Sequence, residues 1–195
     1  PEGIKSIGYD MFYSCTSLQS ITIPNSVTTL GANSFDGCRS LKYAIISNSI
    51  TTFGGSVFYN CYSLHTAIFN YSDNNTVNIG QQAFNGDTAL LNVIMPDNIA
   101  MNGNQIFNTC YSLHEIKIPK STTSIGQNNL RYCSSCTKYD FTSLMQVPRI
   151  GYSVFTGINP IAKIIVPDNL YNTWTTASGW TSFAKYMVRE SDYVE

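Results

Sequence analysis

A spacing of 23 residues recurs along this chain and restricts its possible folds more than any other feature. Three of the four intervals in one series of cysteines are 23 residues, the series being Cys15, Cys38, Cys61, Cys110 and Cys133. The remaining interval, from Cys61 to Cys110, is 49 residues, and Asp87 fills the missing position after a three-residue insertion near "YSDNNTVN". Sequences with such a period form stacks in which each coil contacts its neighbours. We therefore predict a solenoid.

Other residue columns keep the same phase as the cysteines. A glycine stands seven residues before each cysteine position, at Gly8, Gly31, Gly54, Gly80, Gly103, Gly126 and Gly151. Four residues after the glycine come Phe12, Phe35, Phe58, Phe84, Phe107, Leu130 and Phe155. Three residues after the cysteine position come Leu18, Leu41, Leu64, Leu90, Leu113, Cys136 and Ile161. These columns predict about seven coils, in which the glycine provides either a positive φ or close packing between coils.

The segment that follows the leucine position alternates apolar and polar residues and commonly ends in proline, as in "LQSITIP" and "LHEIKIP". This period of two predicts one short β-strand per coil, and stacked coils then form one parallel β-sheet. The inward residues are expected at Ile21/Ile23, Ala44/Ile46, Ala67/Phe69, Val93/Met95, Ile116/Ile118, Tyr139/Phe141 and Ile164/Val166. A second apolar column, broken by Thr76 and Thr122, predicts an extended segment on the opposite wall at Ile4, Val27, Ile50, Ile99 and Val147.

The complete pattern, I-x-x-I-G-x-x-x-F-x-x-C-x-S-L-x-x-I-x-I-P-x-S-V, resembles the bacterial surface-antigen (BspA-like) type of leucine-rich repeat. Coils one, three and five fit closely, whereas coil six departs most, with Leu130, Cys136 and no proline after its strand. The resemblance implies a β-rich solenoid, a right-handed leucine-rich repeat stack. It also implies a secreted or cell-surface protein of host-associated bacteria, with adhesion or protein binding as its usual role. The family provides no catalytic residues to transfer.

Residues 168–195 differ in character from the repeats. Asp168 or Asn169 is expected to cap a helix, and Gly179 to interrupt it before a second apolar turn. The apolar residues at helical spacing are Leu170, Trp174 and Ala177, followed by Trp180, Phe183 and Met187. We predict a repeat solenoid over residues 1–167 and a C-terminal capping segment over 168–195. We interpret the two tryptophans as covering the open end of the stack rather than forming a sugar-stacking platform.

The only two histidines, His65 and His114, lie in two copies of "CYSLH", which suggests metal or nucleophile chemistry. The two copies are two coils apart, and therefore separated by about twice the ~4.8 Å strand spacing, too far to share one zinc ion. We expect a ladder of reduced, buried thiols, and the "CSSC" at 133–136 to be structural, with a local disulfide as the alternative. "DNN" at 73–75 is interpreted as a solvated loop rather than a calcium site. We thus predict no catalytic residues, no metal site, no cofactor and no enzymatic activity.

The outward face of the predicted sheet is the remaining candidate for function. Its two columns supply the predicted ligand-binding residues, Tyr43, Ile45, Thr66, Ile68, Asn92, Ile94, Glu115 and Lys117. The columns continue to Lys138, Asp140, Lys163 and Ile165, and a contiguous exposed apolar patch is typical of an interaction surface. The alternative is a structural spacer or stalk of a larger surface protein.

Charge and hydropathy limit the possible partners. Charged residues make up 12% of the chain and the net charge is −1, which gives no electrostatic reason to bind nucleic acid. No apolar run is long enough to insert into a membrane. We read the chain as a fragment of a longer precursor and expect it to be a monomer. We expect an extracellular or cell-surface location and a partner that is an extracellular protein or glycan of a host or neighbouring cell.

Overall fold

A computed structural model describes residues 3–70 and 76–194 of the chain. The predicted loop at 73–75 lies outside the described residues. Every strand pairing in the described residues is parallel, and the first pairings join residues 23 positions apart, such as Ser20 with Tyr43. The predicted β-solenoid is therefore confirmed, with about eight turns when the strand of the C-terminal segment is included.

One wall of the solenoid carries the predicted strand of each coil. These strands are β2 (Ser20–Thr22), β4 (Tyr43–Ile46), β6 (Thr66–Phe69), β8 (Asn92–Ile94), β10 (Glu115–Lys117), β12 (Lys138–Asp140), β14 (Lys163–Val166) and β15 (Met187–Arg189). They form two four-stranded sheets, with strand orders β2-β4-β6-β8 and β10-β12-β14-β15. The sequence predicts one continuous sheet, and the structure corrects this to two.

The opposite wall carries a two-residue strand in each coil. Of the second apolar column only Ile99 lies in such a strand, whereas Ile4, Val27, Ile50 and Val147 stand two residues before one. These strands are β1 (Ser6–Ile7), β3 (Thr29–Leu30), β5 (Thr52–Phe53), β7 (Val77–Asn78), β9 (Ile99–Ala100), β11 (Ser124–Ile125) and β13 (Arg149–Ile150). They pair as β1-β3-β5, β7-β9 and β11-β13. The breaks on this wall thus fall at different coil junctions from the break on the first wall.

The turn that follows each wall strand is joined to the next coil by backbone hydrogen bonds. In coil one, the amides of Asp10 and Phe12 donate to the carbonyls of Ala32 and Ser34, and later coils repeat this pattern. Positive φ angles occur two residues after the glycine column, at Asp10, Asn33, Ser56, Gln82, Gln105, Asn128 and Ser153. The predicted glycines themselves have no positive φ, so only the close-packing alternative is confirmed for them.

The interior is filled by the inward residues of both walls and by the phenylalanine column. The rings of Phe12, Phe35, Phe58, Phe84 and Phe107 stack in series, with centroids 5.1–5.4 Å apart. The series ends at Leu130, beyond which Tyr139 and Phe155 pack edge to face at 5.1 Å. No single coil could bury its apolar edge alone, so the stack provides the core.

The C-terminal segment covers the last coil. It contains a 3₁₀ turn (Asp168–Leu170), helix α1 (Tyr171–Thr176) and a second 3₁₀ turn (Thr181–Tyr186), before strand β15 pairs with β14. Trp174 and Trp180 are buried, with ring centroids 4.5 Å apart. Both rings therefore lie in the interior and do not form an exposed sugar-stacking platform.

Three predicted positions are wrong in detail. Asp168 lies inside the first 3₁₀ turn and does not cap it, because its carboxylate instead accepts a hydrogen bond from the Ser191 amide at 3.0 Å. Ile161 is exposed and Ala162 buried, because the turn after Asn159 closes at Ala162, whose amide donates to the Asn159 carbonyl. Ile165, expected on the outward face, is buried in a strand that β15 flanks.

Candidate binding surface

The eight predicted binding residues share the outward face of the first wall. Tyr43 pairs in register with Thr66 and Thr66 with Asn92, while Ile45, Ile68 and Ile94 form the parallel column beside them. Tyr43 and Ile94 are each 55% exposed, whereas Ile45, Thr66 and Ile68 are half-buried. These side chains form an apolar strip that runs from Tyr43 to Ile94, and its exposed surface lies mainly at these two ends.

The hydrogen-bond ladder of this wall stops between β8 and β10. At the entry to the sheet, the His65 amide donates to the Lys42 carbonyl and the Thr137 amide to the His114 carbonyl, both at 2.9 Å. The equivalent bond from the His114 amide to the Leu91 carbonyl is missing among the described residues. The facing edges of β8 and β10 therefore leave backbone groups unpaired, which is the chemistry that attracts another polypeptide segment.

A cavity of about 410 Å³ lies at this interruption. Five of the predicted binding residues line it, namely Thr66, Asn92, Ile94, Glu115 and Lys117. Its apolar lining also includes Val93, Met95 and Ile116, which the sequence places on the inward face. Its volume falls in the range of about 300–1,000 Å³ that is typical of ligand pockets. Tyr43, Ile45 and Ile68 lie outside it, on the apolar strip that leads to it.

Charged side chains border the cavity on the side of coils five and six. Lys138 Nζ lies 3.7 Å from Glu115 Oε2, and both residues line the cavity together with Lys117 and Asp140. The Asp140 carboxylate accepts hydrogen bonds from the amide and hydroxyl of Thr142, at 2.9 and 2.7 Å, which holds it in place. The cavity thus has an apolar side on β8 and a side of mixed charge on β10 and β12.

The end of the chain lies beside this charged side. Lys138 Nζ is 5.3 Å from the centroid of the Tyr193 ring, and Tyr193 shares a surface depression with Asn92 and His114. His114 therefore reaches the edge of the candidate surface. His65 is half-buried, and its Nδ1 lies 2.6 Å from the Ser63 carbonyl oxygen.

The cysteines occupy the interior rather than the candidate surface. All six are free, and only Cys15, in the first described coil, is exposed. Burial raises the pKa of Cys38 to about 11 and that of Cys136 to about 12, and it raises the pKa values of Cys61, Cys110 and Cys133 well above their ordinary value. The thiolate is the form of cysteine that acts as nucleophile and metal ligand, so this burial favours a structural role for the "CYSLH" and "CSSC" cysteines.

The described ranges 3–70 and 76–194 contain no group of three or more His, Cys, Asp or Glu side chains placed to hold a metal ion. Within the same ranges, no helix has the length and apolar character needed to cross a membrane.

The fold and its 23-residue coils define a leucine-rich repeat solenoid. The family model described as "BspA type Leucine rich repeat region" matches residues 1–76 and 69–177, in six copies. The chain therefore belongs to the BspA-type leucine-rich repeat family. It matches no functionally curated protein.

Solved structures of bacterial proteins share this fold. A leucine-rich repeat protein from Bacteroides ovatus ATCC 8483 is 28% identical, with a TM-score of 0.73 over 97% of this chain and 46% of that chain. The T. pallidum leucine rich repeat protein is 23% identical, with a TM-score of 0.73 over 89% of this chain and 77% of that one. A leucine rich cell surface protein from Faecalibacterium prausnitzii A2-165 is 21% identical, with a TM-score of 0.54 over 92% and 62%. The chain thus spans less than half of the B. ovatus protein.

Proposed function

We propose that this chain is a non-enzymatic binding module that recognises an extracellular protein or glycan through the outward face of its first wall. The observation that supports this most is that the apolar strip leads into a cavity of about 410 Å³ at the interruption between β8 and β10. Apolar surface beside a few fixed polar groups is the usual composition of a recognition site. The predicted face and the cavity share five residues, on which the proposal therefore concentrates: Thr66, Asn92, Ile94, Glu115 and Lys117.

The proposal of a secreted or surface-displayed module is supported by family membership. The low share of charged side chains, 12%, is compatible with a surface that recognises partners through apolar and neutral polar groups. The burial of five of the six cysteines and the inward position of the thiols favour a structural role for the interior. Binding is therefore assigned to the exterior, where side chains are free to contact a partner.

The test compares single substitutions at exposed positions, which should not disturb the core. Ile94→Asp and Tyr43→Asp each place a charge on the 55% exposed ends of the apolar strip. Binding to a panel of purified extracellular proteins and glycans is measured with wild type and with each variant. Ile94→Asp is expected to weaken binding to any ligand found in that panel at least about tenfold, which corresponds to about 1.4 kcal/mol.

Matched controls place the same charge elsewhere. Met145→Asp and Tyr152→Asp alter side chains that are 75% and 69% exposed but lie outside the strip and the cavity. Both controls should bind as wild type does, and all four variants should keep the wild-type unfolding midpoint. If Ile94→Asp and Tyr43→Asp bind as well as the controls, another surface of the chain binds the ligand and the assignment of this face is wrong. If wild type binds nothing in the panel, a spacer role becomes the better explanation.

A further inference from the structure

The cysteine column forms a series of hydrogen bonds that connect successive coils. Each buried thiol donates from Sγ at 3.2 Å to the phenylalanine carbonyl of the preceding coil, the pairs being Cys38 with Phe12, Cys61 with Phe35, Cys110 with Phe84 and Cys133 with Phe107. The same carbonyls also accept the backbone amide of the cysteine position in their own coil. Because a carbonyl oxygen has two lone pairs, each of these phenylalanine carbonyls accepts as many hydrogen bonds as it can.

Phe58 is the exception in this series. Its carbonyl accepts the Cys61 amide at 3.3 Å, but the residue in the cysteine position of the next coil is Asp87. The Asp87 side chain is completely buried, and its Oδ1 accepts a hydrogen bond from the same Cys61 amide at 2.8 Å. Its Oδ2 is also buried and has no partner among the described residues. An ionised carboxylate could only accept hydrogen bonds, so it could not supply the missing donor.

We propose that Asp87 is a proton-binding site: its carboxyl group is neutral at physiological pH, and Oδ2–H donates to the Phe58 carbonyl as the thiols do in the other coils. Oδ1 keeps its bond from the Cys61 amide. A carboxylic acid can accept with one oxygen and donate with the other, so it can keep the bond from the Cys61 amide and also replace the thiol as donor. The alternative is a buried carboxylate without a compensating charge and with one oxygen unpaired, which is strongly unfavourable.

The surroundings of Asp87 favour the neutral form. Burial raises the pKa of Asp87 well above its ordinary value, the hydrogen bond from the Cys61 amide opposes this, and the charge of Asp36 raises the pKa further. The other titratable groups that interact with it are the thiols of Cys61 and Cys110, from the coils on either side. Burial also raises the pKa of both thiols, and a thiol can only be neutral or negative, so neither can supply the positive charge that would compensate an ionised Asp87.

Protonation of Asp87 makes the stability of the folded chain depend on pH. A carboxyl group whose pKa is raised on folding binds its proton more tightly in the folded chain than in the unfolded chain. Its stabilisation is complete below the unfolded pKa of about 3.9 and is lost as the pH rises towards the folded value. A rise in pH from about 3.9 towards the folded pKa of Asp87 should therefore weaken the junction between coils three and four.

Asp87→Asn is the decisive variant, because its amide reproduces the neutral acid, with an oxygen acceptor for the Cys61 amide and an N–H donor for the Phe58 carbonyl. Urea unfolding of wild type and variant is measured from pH 4 to pH 9. The ratio of the wild-type to the variant unfolding constant should rise about tenfold per pH unit between the unfolded and folded pKa values of Asp87. A ratio that is independent of pH, or one that falls as the pH rises, would overturn the proposal.

Infrared spectroscopy tests the protonation state directly and does not depend on the folding of the variant. Wild type at pH 7 should show the carbonyl band of a protonated carboxylic acid. The band should be missing from Asp87→Asn where that variant folds. Its absence from folded wild type would show that Asp87 is ionised and that the proposal is wrong.

Discussion

Single glycines set how closely the turns of successive coils approach. A Cβ added to Gly31 would lie 2.6 Å from the carbonyl carbon of Gly8 and from the Tyr9 amide nitrogen, both of which are backbone atoms. The same addition at Gly8, the first glycine of the column, would meet only the flexible end of Met11 at 3.6 Å. The column therefore exists for backbone packing between coils, and its first member is free of that constraint.

Gly31→Ala should lower the free energy of unfolding by about 1–3 kcal/mol, because overpacking against backbone cannot be relieved by a rotamer change. Gly8→Ala is the matched control and should change stability by less than about 1 kcal/mol, in either direction. Urea unfolding of both variants provides the measurement. Equal effects at the two positions would contradict the proposed role of the column.

At the same scale, the sequence predicts which residues face inward but not where the backbone is left-handed. We expected either a positive φ or close packing at the glycine column, and the positive φ angles occur two residues later, at residues such as Asp10 and Asn33. Asn and Asp adopt this conformation more readily than most residues, so a signal was present in the sequence. It was obscured because Ser56 and Gln82 occupy the same position in other coils.

Among the elements, the C-terminal segment depends on two tryptophans with different polar environments. Trp180 Nε1 donates to the Pro148 carbonyl at 2.8 Å, whereas Trp174 Nε1 is buried with no partner in the described part of the chain. Both rings are almost completely buried, and both pack edge to face on Phe141. The two positions therefore lose similar apolar contacts on replacement by phenylalanine but differ in the hydrogen bond.

Trp180→Phe should lower the free energy of unfolding by about 1–3 kcal/mol more than Trp174→Phe does, because only the former leaves a carbonyl unpaired. Thermal or urea unfolding of the two variants, compared at the same temperature, measures this difference. If Trp174→Phe proves equally destabilising, the cap is held by ring volume alone and the bond to Pro148 contributes nothing.

The strands of the repeats could be predicted at this scale, whereas the boundaries of the cap could not. An alternation such as "ITI" followed by proline defines β2 and its equivalents, because the strand period is two. The end of the cap, "MVR", has no such alternation, yet it adds strand β15 beside β14 because that edge would otherwise remain unpaired.

The interruption between β8 and β10 left no trace in the sequence, since the inward column passes from Val93 to Ile116 without a break.

Considered as a whole molecule, the stack is continuous in its turns but divided on its first wall. The turn of coil four bonds to that of coil five, with the Phe84 amide donating to the Ile106 carbonyl at 2.9 Å. On the first wall, the same two coils belong to separate four-stranded sheets. Coils four and five are therefore joined through their turns and through the β7-β9 pair, which leaves the candidate surface as the least hydrogen-bonded part of this junction.

Amide hydrogen exchange should detect this division. His65, His114 and Thr137 occupy the same position in coils three, five and six, but only the amides of His65 and Thr137 donate to the preceding coil. We expect a protection factor of about one for the His114 amide and strong protection for the other two, since exchange reports local hydrogen bonding. Equal protection at all three positions would show that the ladder is continuous and that the cavity is not a stable feature. A ligand bound at the cavity should slow exchange at His114 and leave exchange at His65 unchanged, which would connect the division of the sheet to the proposed binding function.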